Sequence, residues 1–359
     1  MQIINKLLRF QKVYIFFISF VLFIIIFSTS FLYANTFKVS DVEISSPYKL
    51  KFNKNRVIDD GFKASFYNLI SMITTSGDRE KIKNTSLKEL KGMIDSFTIS
   101  DEKFINNIYF AKLETTFNKK KIFLFLEKKN IFPSVPNKNK VLLIPILVNV
   151  EEDRVYFFTD NTFYQKWNDN KKNYHLLDYL LPSEDLEDLK TIQQNSSSIE
   201  NFDFKDLIEK YDLQDYIISI IYKNKDELRI LSKINLKGSL KLDNQTFKNI
   251  NLSNEKKFEE VLESLKTIYE NYWKKNNEIN TSIKLPITIS INSKEYNKIK
   301  KFENVLENND LISNFYILKF DNQNTFYKII YNSSPKNFLK DFDKEKFIIS
   351  TENKIWIIK

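Results

Sequence analysis

Cysteine is absent from the 359 residues, histidine occurs once, and glycine and proline number only 4 and 7. Without cysteine there is no disulfide, thiolate metal centre, cysteine nucleophile or lipid-modified cysteine anchor. The single histidine, His175, makes multi-histidine metal sites and serine–histidine machinery poor fits. Four glycines leave little room for a phosphate-cradling loop, which needs close backbone approach. No GxSxG, HExxH, P-loop or dinucleotide fingerprint occurs. Scarce glycine and proline beside 42% hydrophobic residues also exclude a collagen-like or wholly disordered chain. These absences identify no reaction, and they point to no catalytic residue, no metal ligand set and no cofactor.

What is present begins with an address. Lys6, Arg9 and Lys12 precede an apolar run over residues 13–34, broken only by Ser19, Ser28, Thr29 and Ser30. As a helix, such a run reaches roughly 33 Å, enough for a hydrocarbon core of ~30 Å. Positive charge before an apolar stretch is the secretory pattern, and it sends the remainder outward. Residues 1–34 therefore read as a signal peptide or a membrane anchor. Ser28 and Ser30 fit small-x-small cleavage; retention would tether the chain to the inner membrane through residues 13–34. The expected location is the periplasm or cell envelope.

The net charge is +9, of which +6 lies beyond the apolar run. Lys49, Lys51, Lys54, Arg56 and the lysines at 119–121 and 128–129 hold most of it, a distribution that could favour anionic headgroups. Export argues against nucleic acid as a partner, although Phe117, Phe123 and Phe125 interleave the lysine run.

Hydrophobic periodicity divides the exported chain into an N-terminal α/β domain (35–132), a central α+β domain (133–278) and a C-terminal domain (279–359). In the first, alternation from Phe37 to Ile44 predicts a strand, and Ile58, Phe62, Phe66, Leu69 and Ile73 recur at helical spacing. Ser86 and Glu89 form a capping box before a helix carrying Leu87, Leu90, Ile94 and Phe97, with one strand over 105–117. In the second, the apolar run 141–150 reads as a central strand. Three strands and one long helix, from Phe258 to Tyr272, follow. The third reads strand, helix, strand, strand, helix, strand, a split βαβ order of ferredoxin-like type, with Ile287, Ile289 and Ile291 facing the helices and Ser293 as a cap. The fold class is α+β, several small domains after an N-terminal hydrophobic helix.

Carboxylates cluster at Asp59 and Asp60, at 151–153, and at Glu184, Asp185, Glu187 and Asp188. Acids at a helix start normally complement its dipole, and no EF-hand spacing occurs. Phe163, Tyr164 and Trp167 are the candidate binding residues, since aromatics stack on glycans or anchor peptides. The same spacing also suits one helix packed on strand 141–150, with Phe163 and Trp167 inward and Tyr164 more exposed.

The segment Asp160-Asn161-Thr162-Phe163-Tyr164-Gln165-Lys166-Trp167, after Leu142-Leu143-Ile144-Pro145, resembles the apolar strand, proline and DNPW…W stretch of the exported proteobacterial "domain of unknown function 2066" family. Residues 182–189 are similar to its PxGDxxD stretch, and Trp356-Ile357-Ile358 to its C-terminal W-x-L. The family's alanine-rich first helix is replaced here by bulky and charged residues. The resemblance implies an exported protein and supplies no catalytic residue. The expectation is a non-enzymatic binding or assembly module whose partner is an envelope protein or glycan. The alternative is an envelope glycan or phosphoester hydrolase using carboxylates alone.

Overall fold

Alternate burial along Thr36–Pro47 makes strand β1, with Phe37, Val39, Val42 and Ile44 turned inward. The computed structural model describes residues 36–169 and 171–359, so the apolar run at 13–34 and its expected helix lie outside the described residues. Within them, no helix is long and apolar enough to cross a membrane.

Helix α1 (Lys54–Ile73) opens at Asn53, whose side chain accepts from the Arg56 amide, and buries Phe62, Phe66, Leu69 and Ile73 as the periodicity predicts. A Cβ at Gly61 would come within 2.8 Å of both Ile44 and Leu113. Glycine there lets the helix backbone rest directly on the sheet.

Helix α2 (Leu87–Gly92) starts as the capping box predicts, Ser86 Oγ accepting from the Glu89 amide at 3.2 Å. It stops at Gly92, and this corrects the sequence reading, which ran the helix through Ile94 and Phe97. Those residues begin strand β2 (Ile94–Ile105), antiparallel to β3 (Ile108–Asn118). Asn106 and Asn107, at φ 50° and 58°, make the two-residue turn between them. Asparagine tolerates this left-handed geometry, which matches strand twist in a tight hairpin. The expected single strand over 105–117 is thus one arm of a hairpin, and the sheet order is β1-β3-β2.

Helix α3 (Lys119–Lys128) leads to β4 (Asn139–Asn149), buried along nearly its whole length. β4 pairs in parallel with β6 (Leu177–Leu180) and β7 (Tyr216–Asn224), and antiparallel with the short β5 (Arg154–Tyr156). β8 (Glu227–Leu236) and β9 (Ser239–Phe247) extend the sheet beyond β7. β5 and β6 share one edge of β4 and leave its middle unpaired. Pro145 sits in that gap, where its missing N–H breaks no ladder, and its carbonyl accepts from Asn161 Nδ2. Both faces of β4 and β7 are covered. One carries Val141, Leu143 and Ile217 against helices α4 (Thr162–Lys166) and α7 (Glu255–Asn276). The other carries Leu142, Ile144 and Ile218 against α5 (Leu186–Gln194) and α6 (Lys205–Glu209).

The third sheet joins β10 (Leu285–Asn292), β11 (Ile312–Phe320), β12 (Asn324–Tyr331), β13 (Ile349–Ser350) and β14 (Trp356–Ile358) in the order β11-β12-β10-β14-β13. Helices α8 (Tyr296–Asn308) and α9 (Pro335–Lys344) cover one face, where Ile287, Ile289 and Ile291 are buried with Phe302, Leu306, Phe338 and Phe342. Ser293 does not cap α8; its hydroxyl donates to the Asp321 carbonyl. The described chain is mixed α+β, each sheet with its own hydrophobic core.

Candidate functional site

The three aromatic candidates occupy different environments. Phe163 and Trp167 are fully buried in one core. Phe163 meets Phe258 edge-on at 4.9 Å, and Trp167 stacks on Tyr269 at 6.0 Å. Neither offers a surface to a ligand, because α4 lays both rings between the sheet and α7. Tyr164 is half-buried and its hydroxyl donates to the Pro182 carbonyl at 2.8 Å. The patch packs the core.

The carboxylate clusters disperse into local contacts. Asp59 pairs with Lys91 at 2.6 Å and Asp60 with Lys63 at 2.9 Å. Asp185 caps α5 by accepting from the Glu187 and Asp188 amides, and Asp188 pairs with Lys210 at 2.7 Å. Among the described residues, no group of three or more acidic or histidine side chains is arranged to hold a metal ion. At the carboxyl ends of β4 and β7, where open parallel sheets commonly receive ligands, the chain instead makes two hairpin turns, into β5 and into β8. Glu151 ties them together, accepting from the Lys225 amide at 3.1 Å.

His175 is buried, its Nε2 lying 4.0 Å from Glu263. Burial, with Lys266, Lys274, Lys172 and Lys171 around it, pushes its pKa down to about 4. The imidazole is therefore neutral at pH 7. Because the folded value lies below that of an unfolded histidine, near 6.5, its contribution to stability is complete above pH 6.5. It is lost as pH falls toward 4, at about 1.4 kcal/mol per pH unit. Urea unfolding of the wild type and His175→Phe at pH 7 and 4.5 checks this. The wild type loses more stability between the two.

A groove with a different character runs between α1 and the outer edge of β2. About 700 Å³ in volume, it is floored by Ile58, Phe62, Ile94 and Phe97 and rimmed by Asp59, Lys91 and Asp95. Phe97 is 48% exposed yet edge-on to Phe62 at 5.0 Å, so it forms a platform facing solvent. Lys91 reaches across, bound to Asp59 and 6.0 Å from the Phe62 ring. Among the described residues, β2 pairs with β3 alone, and its other edge meets no strand. Register shifts at 94–96 and 100–103, the latter with Asp101 at φ 53°, leave Ser96 to Ser100 as the regular stretch of that edge. Bulges are a common way to end an edge that must not pair indiscriminately.

Reading the sequence alone missed this site, since it placed Ile94 and Phe97 on a helix. The two asparagines of the hairpin turn were the signal that could have found it. No protein-family model matches the chain, and a search of curated proteins finds no match.

Proposed function

We propose that this chain is an exported cell-envelope protein acting without catalysis, and that it captures an extended segment of another envelope polypeptide as an added strand on β2. The observation that carries the reading is the open Ser96 to Ser100 edge lying beside an apolar groove. An unpaired strand edge asks for amide donors and carbonyl acceptors at the spacing of a second strand, which a polypeptide supplies and a glycan does not. The groove takes alternate apolar side chains of that strand, with Phe97 and Phe62 as the anchor. Secretory patterning at residues 1–34 supports the address. The likeness to the "domain of unknown function 2066" family, carried by 142–145, 160–167, 182–189 and 356–358, belongs to the same reading. So does a division near residues 132 and 278, with a last domain that follows the ferredoxin-like order through α9 and departs from it at the end, where β14 lies parallel to β10 instead of antiparallel.

Cross-linked pull-down from the native envelope tests it, using wild type, Phe97→Glu and, as a control, Phe320→Glu on another sheet edge, where the ring is 79% exposed. Placing a carboxylate on the platform weakens capture by about 2 kcal/mol with little change in melting temperature, while the control captures normally. Equal capture by Phe97→Glu contradicts the proposal.

A further inference from the structure

Nearer the C-terminal end of α1 lies a second cavity, about 490 Å³, between the helix and the 76–90 segment. Its floor is apolar and buried: Phe66, Ile70, Ile82 and Leu90. Tyr67, half-exposed, stands at the mouth. Arg79 also lines it, and its situation differs from that of every acid and lysine nearby. Lys63, Lys81 and Lys83 each pair with a carboxylate, from Asp60, Asp78 and Glu80 respectively. Among the described residues no carboxylate lies within ion-pair distance of Arg79, whose Nη1 donates only to the Tyr67 hydroxyl, at 3.3 Å. Its Nε–H is buried with no acceptor. A donor stripped of water and left unpaired is unfavourable until an acceptor meets it. Burial chiefly depresses the ammonium of Lys274, and the nearby Arg79 adds to that effect.

We infer that this cavity binds a small anionic amphiphile, an aliphatic carboxylate of fatty-acid type. The planar guanidinium offers paired donors that match a carboxylate in a bidentate fork. The apolar floor takes the alkyl chain, and the volume falls in the range of ordinary ligand sites, ~300–1,000 Å³. The site uses neither β2 nor its groove, so it stands apart from strand capture.

Photolabelling the full chain in nanodiscs with a diazirine-bearing decanoate tests the inference, because wild type and variants then share the same lipid background. Labelled peptides should map to residues 63–90, and excess decanoate should compete at least about tenfold better than decanol or decyltrimethylammonium. Arg79→Gln should lower labelling about tenfold without lowering the melting temperature, Arg79→Lys should retain part of it as a point charge, and Leu90→Phe should block it by filling the floor. Equal competition by decanol, undiminished labelling of Arg79→Gln, or labelling confined to other segments would overturn it.

Discussion

Replacing Trp167 by alanine should lower the unfolding free energy by about 3–5 kcal/mol. The ring is fully buried, stacked on Tyr269 and edge-on to Tyr179 at 5.5 Å. Removing it opens a void between the central sheet and α7 that two rigid aromatic neighbours cannot close. Trp167→Phe should cost far less, since it keeps much of the apolar contact and deletes an indole N–H that is buried without a partner. Tyr164→Phe removes a single half-buried hydrogen bond and should cost about 1 kcal/mol. Chemical denaturation of the three variants gives the order. A Trp167→Ala protein as stable as the wild type would contradict the packing described here.

The second large effect belongs to Glu270. Its Oε1 accepts from the Leu176 and Leu177 amides, each at 2.8 Å, and its Oε2 lies 3.7 Å from the Lys274 ammonium. Both residues are 3% exposed. Lys274 in turn donates to the Ser71 carbonyl near the end of α1, so the pair joins α7 to the first sheet's helix and to the loop before β6. Glu270→Ala leaves two amides without an acceptor and strands a buried cation, and should cost about 3–5 kcal/mol. Glu270→Gln combined with Lys274→Met, which keeps the acceptor and removes the charge, should recover much of that loss. Burial raises the Glu270 pKa and pushes that of Lys274 down to about 8. A lysine whose folded value lies below its unfolded value of 10.5 opposes folding while charged, so stability gains from this group as pH rises from 8 toward 10.5. Lys274→Met should remove that gain, which unfolding curves at pH 7.5 and 9.5 would reveal.

Elements with uninterrupted periodicity were legible from sequence: α1, α7, the buried strand β4 and the C-terminal alternation of sheet and helix. Their apolar positions recur at one spacing, and the core sits where that spacing puts it. Short elements were less so. Around Ile94 and Phe97 a helical spacing and a strand spacing both fit for a few residues. Gly92 and the turn asparagines decide between them, and a pattern of apolar positions does not weigh those. The buried character of Phe163 and Trp167 followed from their spacing beside β4. The groove did not, because its floor comes from residues 32–39 positions apart. The same holds for Arg79 and the cavity under it, which exist only once the 76–90 segment folds back on α1.

The central claim is strand capture at β2, and site-specific photo-crosslinking in the native envelope tests it most directly. A photoreactive residue is placed at position 97 and then at 99, which share the helix-facing side of β2, and the cross-linked peptide is sequenced each time. Capture as an added strand gives one extended partner segment, with the cross-link moving two residues along it when the probe moves by two. Cross-links that scatter over unrelated peptides, or that stay fixed while the probe moves, would contradict it.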